Sequence, residues 1–420
     1  MMERIINQIK QGRNFISFVG LKTFAEGMSF LIPLFVAGIL SPDLFGSFSL
    51  FKMILFFGIS IFIGPIVVPL NIESNKEYSK TKKSNKTFTS ALVYLLLSIS
   101  IFLLIFLFFG KELIGFTGLN FEEYKIVFIL AFFGLSIKSF LATFFMSQDN
   151  KKAHIFVELF YNSLLISLII ILNLFKLLNL HNIFFSFFIS AIFVLIISLV
   201  FIDFKRIFPL NFSIKNFKII THFSVWIILG YASSYFINWG DNLVLRYFVS
   251  LEEIGVYNFA YQIFKGFIMV SLMINTYYTP FIAKNLKNKE NLKKYYFNKR
   301  PKILWFSMFF IILLNILISV LINIFYPNYS NSIIIIIILS IAAFLSFYYS
   351  FLIPLFNSFK QYKIIQILLI FQILINLILN LILIPVFGII GAAIATTLSY
   401  TLFTISINFI FKSRILNKLT

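Results

Sequence analysis

Five basic residues, Lys22, Lys52, Lys138, Arg246 and Lys265, lie inside otherwise apolar stretches, as do the acids Glu26, Glu158 and Asp241. An ionisable group near the centre of a bilayer costs about 2.5–3.5 kcal/mol on insertion scales, so by default it faces a wet cavity, pairs, or serves a function. The chemistry open to such groups is charge compensation. A lysine offers a phosphate a point charge. A carboxylate in a low-dielectric site takes up a proton or small cation more readily than one in water. Covalent and metal chemistry have little to stand on: there is no cysteine, and His154, His181 and His222 are scattered without metal-ligand spacing. No Asp/His pair and no glycine-rich phosphate loop is present.

Depth separates a functional charge from one that reaches back to the interface. At 1.5 Å per helical residue, Lys265 sits about 12 residues, roughly 18 Å, from the nearer, outer end of its apolar run, too deep to snorkel. Lys52 lies about 8 residues from the outer end of its run, or about 12 Å. Lys22 is about two turns from an end, with Glu26 on the same face at i,i+4 as a pairing partner. Lys138 is equally placed to reach the interface or a cavity. Asp241 and Arg246 fall near the outer end of one run. Glu158 falls near the opposite end of another.

These residues must be positioned by membrane-spanning helices. The chain of 420 residues is 60% hydrophobic and only 12% charged, against roughly a quarter charged in a soluble domain. A crossing needs about 20 apolar residues. Twelve segments meet this, near 15–40, 44–71, 88–110, 123–147, 152–175, 181–203, 219–246, 253–283, 302–326, 330–357, 362–385 and 388–411. They lack the period-two alternation of barrel strands. The stretch before the first reads as a short basic amphipathic lead-in, with no cleavage site for a signal peptide.

Of the 35 basic residues, five lie within spans and only Lys111, Lys125 and Lys176 fall on one face. All others, including Lys80, Lys83, Lys205, Arg206, Lys293, Lys299 and Arg300, fall on the opposite face. This asymmetry places both termini and the longest connections, 71–87 and 284–301, in the cytoplasm. It accounts for most of the +20 net charge. The basic residues form short clusters between apolar runs, so nucleic acid is not a partner.

The chain repeats itself. "SPDLFGSFSLFKMILFFG" at 41–58 and "SLEEIGVYNFAYQIFKGF" at 250–267 align Ser41 with Ser250, Asp43 with Glu252, Gly46 with Gly255 and Phe48 with Tyr257. Pro69 then meets Pro280, and "ILNL" from Ile171 meets "ILNL" from Ile378. Six spans per half make a parallel repeat. The expected fold is all-α and integral to the membrane, with twelve helices in two lobes, 1–210 and 211–420, around a central cavity. In the aligned repeats Lys265 lies one turn from the position of Lys52, so each lobe presents a cation. Pro33, Pro65, Pro69, Pro354, Gly230 and Gly266 mark places where helices can bend.

"DNLVLRYFVSLEEIGVYNFAYQI" at 241–263 resembles the start of the second lobe in polysaccharide-transport members of the multidrug/oligosaccharidyl-lipid/polysaccharide exporter superfamily. "NLILIPVFGIIGAAIATTLSY" at 380–400 is similar to their signature across helices eleven and twelve. Read physically, its Gly388, Gly391, Ala392, Ala393 and Ala395 form a close-packing motif with no chemistry of its own.

Within the superfamily the chain looks most like the O-antigen (Wzx-type) flippases. That resemblance implies a protein of the bacterial inner membrane. It implies a cargo of undecaprenyl-pyrophosphate-linked glycan, moved from the cytoplasmic to the periplasmic leaflet by alternating access, and glycan assembly proteins as partners. The related lipid II flippases use basic residues on helices one, two and eight, which the resemblance carries to Lys22, Lys52 and Lys265. A diphosphate needs charge compensation once it leaves water, and the five-to-three basic excess within the spans supplies it. Lysine makes bidentate clamping of that diphosphate less favourable than arginine would. No cofactor is implied. Glu26 and Asp241 are candidates for coupling to a proton or sodium gradient. A drug or cation antiporter of the same superfamily is the competing reading and would favour buried carboxylates. A membrane glycan polymerase would need a catalytic constellation that the sequence lacks.

Overall fold

Each apolar run folds as a helix because a bilayer offers the backbone no other hydrogen-bond partner. The structure, a computed structural model, describes residues 2–286 and 288–416, with side chains from Gly20 onward apart from Lys287 and Tyr362. The basic side chains of Arg4, Lys10, Arg13, Lys287 and Lys418, and the lead-in's amphipathic face, lie outside these described side chains. No strand occurs among the described residues. The helices are α1 (Met2–Ala37), α2 (Pro42–Gly58), α3 (Val67–Thr81), α4 (Asn85–Phe116), α5 (Phe121–Ser147), α6 (Lys151–Leu174), α7 (Leu180–Ser198) and α8 (Phe204–Ile207). They continue as α9 (Ile214–Phe248), α10 (Leu251–Lys284), α11 (Lys289–Lys293), α12 (Arg300–Phe325), α13 (Ser332–Ser350), α14 (Ile353–Ser358) and α15 (Tyr362–Phe411).

α15 is two spans, broken at Gly388, whose φ of 55° and ψ of −135° are open to glycine alone. At Gly391 a Cβ would stand 2.3 Å from the Leu383 carbonyl oxygen, so the chain reverses on itself there. With that break the chain has twelve spans and is an all-α multi-pass membrane protein. The second span runs through α2, a π-turn (Ile59–Ile63), a 3₁₀ turn (Gly64–Ile66) and α3. Pro65 and Pro69 remove two backbone donors there and disturb the regular ladder. Pro354 likewise opens α14 after a break that follows α13. Helix continues unbroken through Pro33, Gly230 and Gly266.

The chain divides into two compact units. One comprises residues 1–39 and 47–235, and the other 40–46 and 236–420. In the first, α1 packs on α6, and α5 packs on α4, α6 and α7. Lipid supplies no hydrophobic drive between helices, so shape and ring packing hold them together. Phe51 stacks on Phe184 at 3.8 Å between ring centres, and Phe102 on Phe132 at 3.9 Å. The connection after α7 is stitched back onto this unit. Arg206 Nε donates to Ser84 Oγ at 3.2 Å, and Nη1 and Nη2 donate to the Gln148 and Ser147 carbonyls at 3.1 and 3.3 Å.

In the second unit α10 packs on α13, and α13 on α15. The repeat-related glycines meet here. A Cβ on Gly46 would stand 2.0 Å from the Leu251 oxygen, and one on Gly255 1.8 Å from the Pro42 oxygen. The contact is reciprocal, backbone against backbone, as aligned segments of a repeat require. No side chain can yield, so Gly255→Ala must push the segments apart. The expected result is a loss of at least about 3 kcal/mol, beyond ordinary overpacking. It is read as a clear fall in the thermal midpoint of purified protein. An unchanged midpoint would show that the crossing is loose.

Candidate functional sites in the two units

In the first unit, Lys22, Ala25, Glu26, Ser29, His154, Ile155 and Glu158 line a cleft of 280 Å³ between α1 and α6. Lys22 Nζ stands 3.8 Å from Glu26 Oε1, with both side chains about half exposed. Lys138, from α5, donates to Glu158 Oε2 at 2.5 Å and lies 5.4 Å from the Tyr161 ring centre. The helices are fixed by Asn162 Nδ2, which donates to the Ala25 carbonyl at 2.9 Å. His154 Nδ1 is 2.9 Å from the Ala142 carbonyl. The cleft therefore carries two cations and two carboxylates in near balance. Lys138 is neutralised by its partner.

Lys52 differs. It lies on α2 in the first unit, half-buried, with Nζ 5.6 Å from the Phe56 ring centre. Among the described residues it makes no hydrogen bond or ion pair. Its positive charge is uncompensated within a span.

Lys265 lies on α10 in the second unit. Its Nζ stands 4.3 Å from the Trp239 ring centre and 5.0 Å from that of Tyr261. The Tyr261 hydroxyl donates to the Ile237 carbonyl at 3.0 Å, which fixes the ring. Trp is the strongest aromatic partner for a cation. A ring holds an ammonium in place yet leaves its full charge available to an anion, whereas a carboxylate would cancel it. Arg246 is half-buried, five residues beyond Asp241 on the same helix.

Asp241 turns inward instead. It is 5% exposed and accepts hydrogen bonds from Asn380 Nδ2 at 2.6 Å, Thr396 Oγ1 at 3.0 Å and the Tyr257 hydroxyl. Asn376 joins the set, accepting from Asn380 at 3.1 Å and donating to Thr396 at 3.3 Å. Four helical segments thus converge: α9, α10 and both limbs of α15. No basic side chain among the described residues balances this carboxylate. Each hydrogen bond to a charged group is worth about 1.5–3 kcal/mol, which keeps a buried carboxylate tolerable without a counter-ion. The amide oxygen of Asn380 is buried with no donor facing it. A carboxylate, a hydroxyl and an orphaned amide oxygen together form an oxygen-rich site suited to a proton or a hard monovalent cation. No cluster of three or more His, Cys, Asp or Glu side chains occurs among the described residues.

Four contributors to this site were not expected from the sequence, among them Tyr257, which the repeat alignment matched only with Phe48. Asn376 and Asn380 are spaced i,i+4 on one face of an apolar run, a usable signal hidden by the general abundance of asparagine. Thr396 lies within the stretch read as packing alone. The small residues do pack tightly, with Ala392, Ala393 and Ala395 fully buried, and that close approach is what brings the Thr396 hydroxyl to Asp241.

Comparison with known proteins places these features in a family. A curated membrane protein of Methanocaldococcus jannaschii, itself uncharacterized, is 30% identical over 261 residues, which are 57% of this chain and 49% of that protein. The chain thus spans about half the length of the curated relative it matches. Among solved structures, the lipid II flippase MurJ in an inward closed conformation superposes with a TM-score of 0.77 over 96% of this chain and 89% of that one, at 16% identity. An inward-facing multidrug resistance MATE transporter of the MOP superfamily gives a TM-score of 0.73 over 93% and 94%, at 14% identity. At such identities the likeness is one of fold. Residues 11–286, well over half of the chain, match the model of a sequence family described as polysaccharide biosynthesis protein, and the chain belongs to that family.

Proposed function

We propose that the chain is a flippase that carries a polyprenyl-diphosphate-linked oligosaccharide from the cytoplasmic leaflet to the opposite one by alternating access. The observation that carries this reading is Lys52, a half-buried cation within a span with no counter-ion among the described residues. Lys265, set against the Trp239 and Tyr261 rings, places a second cation within a span of the second unit and supports it. A cation kept without a counter-ion in low dielectric, as Lys52 is among the described residues, suits an anionic cargo. Family membership supports a glycan as that cargo, and the fold shared with a lipid II flippase supports a lipid carrier for it. Lys22 serves as the cytoplasmic-side partner for the diphosphate, held near Glu26 until the anion arrives. Lys138, already paired with Glu158, contributes to the cleft wall more than to binding. Undecaprenyl diphosphate is the carrier this reading favours, in a bacterial cytoplasmic membrane with both termini inside.

Asp241 carries the coupling role. A buried carboxylate without a cation is the complement a drug or cation antiporter would need for its cargo. Here it is enclosed by Tyr257, Asn380 and Thr396, and the cavity beside Asn376 and Thr396 is only about 20 Å³, too small for a drug-sized molecule. Transport rather than glycan synthesis is the activity proposed.

Deletion of the gene tests the reading. Cells should accumulate complete lipid-linked repeat units on the cytoplasmic face. Incomplete or unpolymerised product on the outer face would instead indicate an enzyme. A topology reporter placed between Tyr326 and Ser330 should be external, and the opposite labelling would reverse the proposed direction.

A further inference from the structure

Among the described residues two arginines are buried near the basic face, and the protein treats them differently. Arg206 is 7% exposed, stacks on the Tyr78 ring at 3.9 Å and donates to three oxygens. Arg300 is 5% exposed and stacks on two rings, Tyr348 at 4.1 Å and Tyr296 at 4.8 Å. Yet its Nε and Nη2 are buried with no hydrogen-bond partner. No carboxylate among the described residues pairs with it. Glu290, the nearest acid in sequence, is held by Lys294 at 2.7 Å. Removing a charged group from water without partners costs several kcal/mol. The Arg206 site shows that this fold satisfies a buried guanidinium where nothing else must bind it.

The surroundings of Arg300 are rigid. The Tyr348 hydroxyl donates to Asn408 Oδ1 at 3.2 Å, and Tyr296 stacks on Phe411 at 4.9 Å. The two rings therefore hold the guanidinium plane in a fixed orientation. They leave its N–H edge as the unsatisfied feature. Arg300 opens α12, and the exposed Trp305 and Phe306 follow just over a turn deeper on the same helix. Tryptophan at such a position marks the boundary between headgroups and acyl chains. Lys293, Lys299 and Lys302 are exposed around it. The planar fork of an arginine matches two oxygens of one phosphate.

We infer that Arg300, walled by Tyr296 and Tyr348, is a binding site for the phosphate of an anionic lipid headgroup at the basic face of the second unit. It is separate from the cations proposed to receive the cargo and does not depend on that reading. Bulk anionic phospholipid and a polyprenyl diphosphate share this chemistry, and the test separates them.

Full-length protein is purified in detergent without added phospholipid and titrated with short-chain phosphatidylglycerol, with phosphatidylcholine of the same chain length, and with farnesyl diphosphate. Binding is followed by native mass spectrometry and Trp fluorescence, and stability by the thermal midpoint. Wild-type protein should bind phosphatidylglycerol at least about tenfold more tightly than phosphatidylcholine, whose choline ammonium already offsets the phosphate charge that the guanidinium would meet. Arg300→Met should erase that preference while unfolding, in the absence of lipid, no lower than wild type, because an unpaired buried charge has been removed. Arg300→Lys should lose several-fold in affinity, since charge remains without the fork. Lys302→Gln, on the exposed surface, should change little. Tight binding of farnesyl diphosphate alone, lost in Arg300→Met, would uphold the site and assign it to the cargo lipid. Undiminished preference in both Arg300 variants would overturn the inference. So would undiminished preference in Arg300→Lys if Arg300→Met does not accumulate.

Discussion

If the chain is the flippase proposed above, Lys265→Ala should abolish glycan export, by at least about a hundredfold, while the protein still inserts and accumulates. The expectation follows from how this lysine is held. Its ammonium sits 4.3 Å from Trp239 and 5.0 Å from Tyr261, deep in α10. A cation over an aromatic face gains about 2 kcal/mol when desolvated, so the empty protein can keep the charge buried. On the proposed reading the ammonium meets an arriving diphosphate, and each charge-assisted contact contributes about 1.5–3 kcal/mol. Removing the side chain removes two such contacts at a depth where water cannot substitute. Lys265→Arg keeps the charge and should retain partial export. Lys265→Glu places like charge against the cargo and should be the most damaging. Lys52→Ala should be milder, because Lys52 lies nearer the outer end of its span and solvent replaces it more readily. The measurement is surface glycan per unit of membrane-embedded protein. Wild-type export by Lys265→Ala at normal abundance would leave the lysine with a packing role only.

Asp241→Asn should lower export at least about tenfold and remove its response to the coupling ion. Wild-type transport should fall when that ion is withdrawn, either sodium replaced by potassium or the proton gradient collapsed. The variant should be slow and indifferent to both. The physical reason is that the amide keeps the shape of the carboxylate and one acceptor oxygen but lacks the charge that attracts a cation. Its NH₂ also opposes the Asn380, Tyr257 and Thr396 donors that now point at Asp241. The opposed donors cost stability, so export is counted per unit of membrane-embedded protein, and the lost response to the ion, which unfolding alone does not produce, separates the two outcomes. Export that remains fast and still follows the ion would place coupling elsewhere, and Glu26 would be the next group to test.

What the sequence determined by itself was the architecture. Long apolar runs leave the backbone only intrahelical hydrogen bonds, so their number and type follow from composition alone, as does the break that makes two spans of α15: Gly388 falls at the junction between the last two predicted segments. The pairing of Gly46 with Gly255 was visible as a repeat alignment, though nothing linear showed that each glycine packs against the other's segment. The deep charges were equally legible, because a lysine inside an apolar run is conspicuous whatever surrounds it. Their partners were not. Lys138 and Glu158 sit on neighbouring helices and pair only once α5 and α6 are side by side. Trp239 meets Lys265 because α9 and α10 run together. The site around Asp241 needed the most from the tertiary structure. Its ligands come from three helices and four helical segments, far apart in the chain. Asparagine and threonine carry no charge that would mark them in an apolar sequence. Only packing close enough to bury them turns their weak dipoles into the surroundings that a carboxylate in a membrane requires.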